Sequence, residues 1–63
     1  MIEDRVLTVP EVAERLKVRA EAVRRWIRGG KLAAFMPGGE KTGWRVLESE
    51  LVRFIQDSRK ASA

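Results

Sequence analysis

The 63-residue chain has no cysteine and no histidine. No disulfide can staple it, and the ligands that usually hold structural zinc are missing. Long apolar runs are absent as well: none approaches the roughly 18 residues of a membrane span. The opening residues, MIEDRVLTVPEV, begin with acids in place of the basic-then-apolar pattern of a signal peptide. Together these absences predict a cytoplasmic protein without a membrane partner, metal or cofactor. Aromatic residues are few: Trp26, Trp44, Phe35 and Phe54 supply most of the bulk. A chain this short forms one domain at most and buries only about 60% of its unfolded surface. It therefore has to stand by packing alone, with little room for a deep substrate cavity beside its core.

Negative charge is scarce in one segment. The net charge is +4, but residues 15–31 hold Arg15, Lys17, Arg19, Arg24, Arg25, Arg28 and Lys31 against Glu21 alone. Residues 1–14 are net acidic, and the remainder is close to balanced. A basic patch confined to one stretch is what a polyanionic partner requires.

Hydrophobic spacing organises the chain around that stretch. In LTVPEVAERL, Thr8 and Glu11 have the spacing of a capping box, and Pro10 falls in the first helical turn, where its missing N–H does no harm. Val9, Val12, Ala13 and Leu16 form an apolar stripe. Lys17–Arg19 is a break, and a second helix is predicted over Ala20–Arg28, stopped by Gly29 and Gly30. KLAAFM (31–36) and WRVL (44–47) read as two short strands around the turn-forming stretch PGGEKTG (37–43), a β-hairpin. Leu51, Phe54 and Ile55 share a face of a last helix over Glu48–Ser58. The chain thus divides into one domain over 1–58 and a flexible tail over 59–63.

On a helix of about 100° per residue, Val23, Trp26 and Ile27 gather on one side of Ala20–Arg28, and Glu21, Arg24, Arg25 and Arg28 on the other. The apolar side belongs in the core, which leaves the arginines together on the outside, as a reading helix presents itself to DNA. Helix, short break, helix, hairpin, helix is the order of a winged helix-turn-helix. The predicted class is therefore mainly α, with a helix-turn-helix, a two-stranded wing and a C-terminal helix.

LTVPEVAERLKV, AVRRWIRGGKLAAF, GWRV and SELVRFI, in that order, resemble the excisionase-type DNA-binding domain, a minimal relative of the MerR regulators. The likeness spans about Leu7 to Ile55 and rests on Val23, Arg25, Trp26, Ile27, Gly30, Leu32, Trp44 and Arg45. The chain departs from the family pattern at Arg19, where relatives carry a Ser or Thr cap, at Leu47, where the last helix often has a polar cap, and at the acidic Glu40 in the wing tip. The resemblance implies sequence-specific binding of double-stranded DNA, in transcription regulation or in an excisionase-like role in DNA recombination. It also implies a nucleoid-associated location, copies bound side by side or as a homo-oligomer, and a recombinase or other protein partner.

The expected contacts are Arg24, Arg25 and Arg28 in or beside the major groove, with Glu21 able to accept from cytosine or simply to serve the helix N-terminus. Lys17 and Arg19 would hold phosphate, and Lys41, Thr42 and Arg45 would act from the wing. Trp26 and Trp44 are read as core residues in preference to stacking platforms for single strands. Neither glycine-lysine string completes a phosphate loop: Arg25 stands where the first glycine before Gly30–Lys31 belongs, and Glu40 precedes Lys41. The acids are scattered over outer faces, so no catalytic residue is assigned and the chain is read as a non-enzyme. The alternative readings are a protein-interaction or assembly module that kept the fold, and the DNA-binding head of a larger phage packaging or regulatory protein.

Overall fold

The computed structural model describes residues 4–40 and 42–61. In chain order the elements are β1 (Val6–Thr8), α1 (Val9–Leu16), α2 (Ala20–Arg28), β2 (Pro37–Glu40), β3 (Arg45–Leu47) and α3 (Glu48–Ala61). The mainly helical winged helix-turn-helix is the architecture observed.

α1 starts where its residues dictate. Thr8 is extended and its hydroxyl accepts from the Glu11 N–H (3.3 Å), while the Thr8 N–H donates to the Glu11 carboxylate (2.8 Å). This reciprocal pair satisfies two donors that the first turn would otherwise leave open. The carboxylate of Glu11 is held below its ordinary pKa, first by the Thr8 backbone N–H and then by the Thr8 hydroxyl. The helix ends in a Schellman turn: the Val18 N–H reaches the Ala13 carbonyl (3.0 Å) and the Lys17 N–H the Glu14 carbonyl (3.3 Å). Lys17 takes the left-handed conformation there (φ 59°, ψ 43°), a position that costs a side-chain-bearing residue about 1–2 kcal/mol.

α2 covers the predicted Ala20–Arg28. Its N-cap, Arg19, makes no side-chain capping bond, as expected from a residue with no acceptor. A second Schellman turn closes it, with Lys31 N–H to the Trp26 carbonyl (2.9 Å) and Gly30 N–H to that of Ile27 (3.1 Å). The residue in the left-handed conformation is Gly30 (φ 77°), whereas Gly29 stays right-handed.

The strands differ from expectation. β3 pairs antiparallel with β1, in the register Val6 with Leu47, Leu7 with Val46 and Thr8 with Arg45. The segment 31–36 is not a strand; its one sheet contact is a bridge between Phe35 and Arg45 (N–H···O 2.9 and 2.7 Å). The physical reason is the path out of α2. The Schellman turn aims Leu32 straight into the core, where it is 1% exposed, and the chain must then return to the surface before it can pair. β1 escaped the sequence reading because three residues are too few to show alternation, although Leu7 is buried and Val6 exposed as a strand requires.

The core comprises Leu7, Val9, Val12, Ala13, Val23, Leu32, Val46 and Leu51, with Trp26, Ile27, Trp44, Phe54 and Ile55 packed around it. Trp26 and Phe54 meet with ring centroids 5.0 Å apart and tie α2 to α3. α3 lacks a polar cap of its own at Leu47, which is half-buried and paired with Val6. Asp4 serves instead: its carboxylate accepts from the backbone N–H (3.0 Å) and the hydroxyl of Ser49, and the Arg5 carbonyl takes the Glu48 N–H (2.8 Å). Arg15 and Glu48 form an ion pair at 2.6 Å between α1 and the start of α3. α3 also runs past Ser58 to Ala61, so Arg59 and Lys60 are helical where the spacing predicts a tail, while residues 62–63 lie outside the described part.

Candidate nucleic-acid interface

The two faces of α2 separate as its spacing predicts. Val23 is fully buried, Trp26 and Ile27 are half-buried against the core, and Glu21, Arg25 and Arg28 are exposed. Arg24 is half-buried at the border of the two faces. Its guanidinium lies 3.9 Å from the Glu21 carboxylate, one turn back along the helix. Two exposed side chains at that distance attract weakly.

Arg24 and Arg28 form one wall of a cleft of about 370 Å³. Val9 and Pro10 at the start of α1, Met36, and Thr42, Gly43, Trp44 and Arg45 of the wing complete its described lining. The cleft thus brings together four of the predicted contacts, Arg24, Arg28, Thr42 and Arg45, and no carboxylate lines it among the described residues. Arg24, Arg28 and Arg45 give the described lining of the cleft a positive charge. Arginine keeps its charge at any physiological pH and presents a planar fork of donors to phosphate or to guanine.

The wing is tied internally. The Thr42 hydroxyl accepts from the Gly38 N–H and donates to the Gly39 carbonyl, each at 3.1 Å. A Cβ at Gly38 would stand 2.6 Å from the Thr42 methyl, so a side chain there would force a local shift. Arg45 folds back on the wing, donating to the carbonyls of Thr42 (2.7 Å) and Trp44 (3.1 Å). Thr42 and Arg45 therefore shape the wing as well as facing the cleft. Lys41, the remaining wing contact expected, lies outside the described residues.

The other predicted contacts stand apart from the cleft. Lys17 lines a separate depression with Glu11, Glu14 and Arg15. Arg19, Glu21 and Arg25 are exposed on the turn and on α2 without joining the lining of the cleft. A larger groove of about 450 Å³ opens elsewhere, between α1, α2 and α3, but its walls are mostly apolar, from Leu16, Val18, Trp26, Phe54 and Ile55, with no carboxylate in its lining among the described residues. The cationic cleft is smaller and holds four of the expected contacts.

One contact was not foreseen. The Arg28 guanidinium lies over the indole of Trp44, 5.7 Å from the ring centroid, a cation–π arrangement between the last turn of α2 and the wing. Sequence spacing gives no sign of it, because the two residues meet only once the wing has folded back over the helix.

Among the described residues, no helix is long and apolar enough to cross a membrane, and no group of three or more carboxylates converges as a metal site would require. No curated protein and no solved structure matches the chain. A family model described as "Helix-turn-helix domain" matches residues 6–59, which takes in every element from β1 to most of α3. With its second helix carrying the cationic face that such domains turn toward DNA, the chain belongs to the helix-turn-helix domain family.

Proposed function

We propose that the protein is a sequence-specific binder of double-stranded DNA that reads the major groove with α2 and grips the adjoining backbone with its wing. The observation that carries this reading is the cleft that Arg24 and Arg28 of the second helix share with Arg45 of the wing, with no carboxylate in its lining among the described residues. Arg25, exposed on the same helix, has no partner among the described residues and is open to bidentate pairing with guanine. Glu21 is open to the cytosine amino group, Arg19 and Lys17 serve phosphates at the start of α2, and Thr42 with Lys41 flanks the backbone from the wing. No residue is assigned a catalytic role.

By resemblance to the excisionase-type domains, the setting is transcription regulation or an architectural role in DNA recombination at the nucleoid, with a recombinase or another protein alongside. A single module of this size buries on the order of 600–1,000 Å² on DNA. Side-by-side copies are therefore part of the proposal, since several modules together reach useful specificity.

In-vitro selection from a pool of randomised duplexes tests it. The expected result is enrichment of a short motif, repeated at a fixed spacing. Failure to enrich any sequence, with no duplex retained even at about 50 mM salt where phosphate contacts are strongest, refutes the reading.

A further inference from the structure

We infer that Trp44 is a positioning residue: its indole face fixes where the Arg28 guanidinium stands, so the wing sets the aim of the last arginine on α2. The inference rests on the DNA-binding reading of Arg28 and adds to it a residue that would not itself touch DNA.

Three observations carry it. First, Arg28 and Arg25 occupy the same exposed face of α2, yet only Arg28 is held. Its guanidinium is 5.7 Å from the Trp44 ring centroid, inside the roughly 6 Å over which a cation is attracted to an aromatic face. Among the described residues Trp44 is its one partner. Second, Trp44 is itself packed. It is half-buried against the core, precedes the paired strand β3, and its carbonyl accepts from Arg45 while the neighbouring Arg45–Phe35 bridge ties both edges of the turn. Third, both residues line the cationic cleft, so the held guanidinium stands at the place where an anion would enter.

An unrestrained arginine loses much of its rotamer freedom on binding. One already held over a ring has given up part of that freedom in the free protein, and pre-organisation of this kind appears as affinity. The placement also weighs against Trp44 as a stacking platform for an unpaired base, because Arg28 already lies over its ring.

Substitutions at Trp44 separate aim from bulk. Trp44→Tyr keeps an aromatic face and Trp44→Leu keeps apolar volume without one. The probe is the duplex enriched by the wild-type protein, with thermal melts confirming that each variant is folded. Trp44→Tyr is expected to bind within about twofold of wild type, whereas Trp44→Leu loses about two- to fivefold, the range of an exposed cation–π contact. In an Arg28→Ala background Trp44→Leu should cost nothing further, because the route from Trp44 to DNA runs through Arg28. Equal binding by the Tyr and Leu variants, or additive losses in that cycle, overturns the inference.

Nuclear magnetic resonance of the free wild-type protein gives an independent reading should either variant fail to fold. The Arg28 Nε–H proton should be shifted upfield by the indole ring current and show cross-peaks to it. Absence of that shift overturns the holding of Arg28. An intact shift combined with Arg28→Ala binding as tightly as wild type overturns instead the DNA role of Arg28, and with it this use of the contact.

Discussion

Replacing Arg24 and Arg28 together by glutamine removes two of the three cations that line the cleft among the described residues, while keeping long side chains of good helix propensity. The fold should tolerate this. The Arg24–Glu21 pair is exposed and 3.9 Å apart, worth between 0 and about 1 kcal/mol, and Arg28 has only the exposed contact with Trp44. Binding should respond in a particular way. If each arginine neutralises one phosphate, the slope of log affinity against log salt becomes shallower by about 0.9 per residue, or about 1.8 for the pair. Over a fourfold rise in salt the wild-type protein would then lose about twelvefold more affinity than the double variant. Fluorescence anisotropy with one labelled duplex across a salt series, beside thermal melts of both proteins, measures this. Arg53→Gln on α3, away from the cleft, serves as the control and should leave the slope unchanged. A double variant that is folded and binds with the wild-type slope refutes phosphate neutralisation by the cleft.

Three further outcomes follow from the packing and the caps. Leu32→Ala empties a site that is 1% exposed and should cost roughly 2–5 kcal/mol in urea unfolding, comparable to the whole stability of so small a domain; a loss under about 1 kcal/mol would contradict its place in the core. Lys17→Gly relieves the left-handed turn residue (φ 59°) and should raise stability by about 0.5–1 kcal/mol after the added freedom of the unfolded chain is subtracted, seen as a higher melting temperature. Acid should weaken the fold through Asp4 and Glu11. Both carboxylates are held below their ordinary pKa, Asp4 chiefly by the Ser49 hydroxyl and Glu11 chiefly by the Thr8 N–H. A depressed native pKa gives stability that is present above the unfolded value and lost as pH falls, from roughly pH 5 downward. Melting temperatures between pH 7 and pH 2.5, the ends of the scan, should therefore fall less steeply for Asp4→Asn than for wild type, and parallel curves would show that the cap contributes nothing.

How much the sequence reveals depends on how far apart the interacting residues lie. The capping box of Thr8 and Glu11, the stripe of Val9, Val12, Ala13 and Leu16, and the limits of α2 all involve residues within one or two turns of one another, and each is found where the spacing puts it. The division of α2 into a buried and a cationic face follows from the same 3.6-residue period. These local rules, with the order of elements, were enough to select the winged helix-turn-helix.

Contacts between distant residues were not legible. Asp4 caps a helix 45 residues away, and no local pattern distinguishes it from any other acid near the N-terminus. β3 pairs along its length with β1 and meets the segment 31–36 only at the Phe35–Arg45 bridge, with Leu32 drawn into the core. The seat of Arg28 on Trp44 and the cleft that Arg24 and Arg28 share with the wing both depend on the wing meeting α2. The sequence by itself determined which helices form and which side of α2 is cationic, since helical period and caps are set by near neighbours. The tertiary structure alone decided which of those cations share a cleft and what holds them there, since that depends on strand pairing and core packing between residues far apart in the chain.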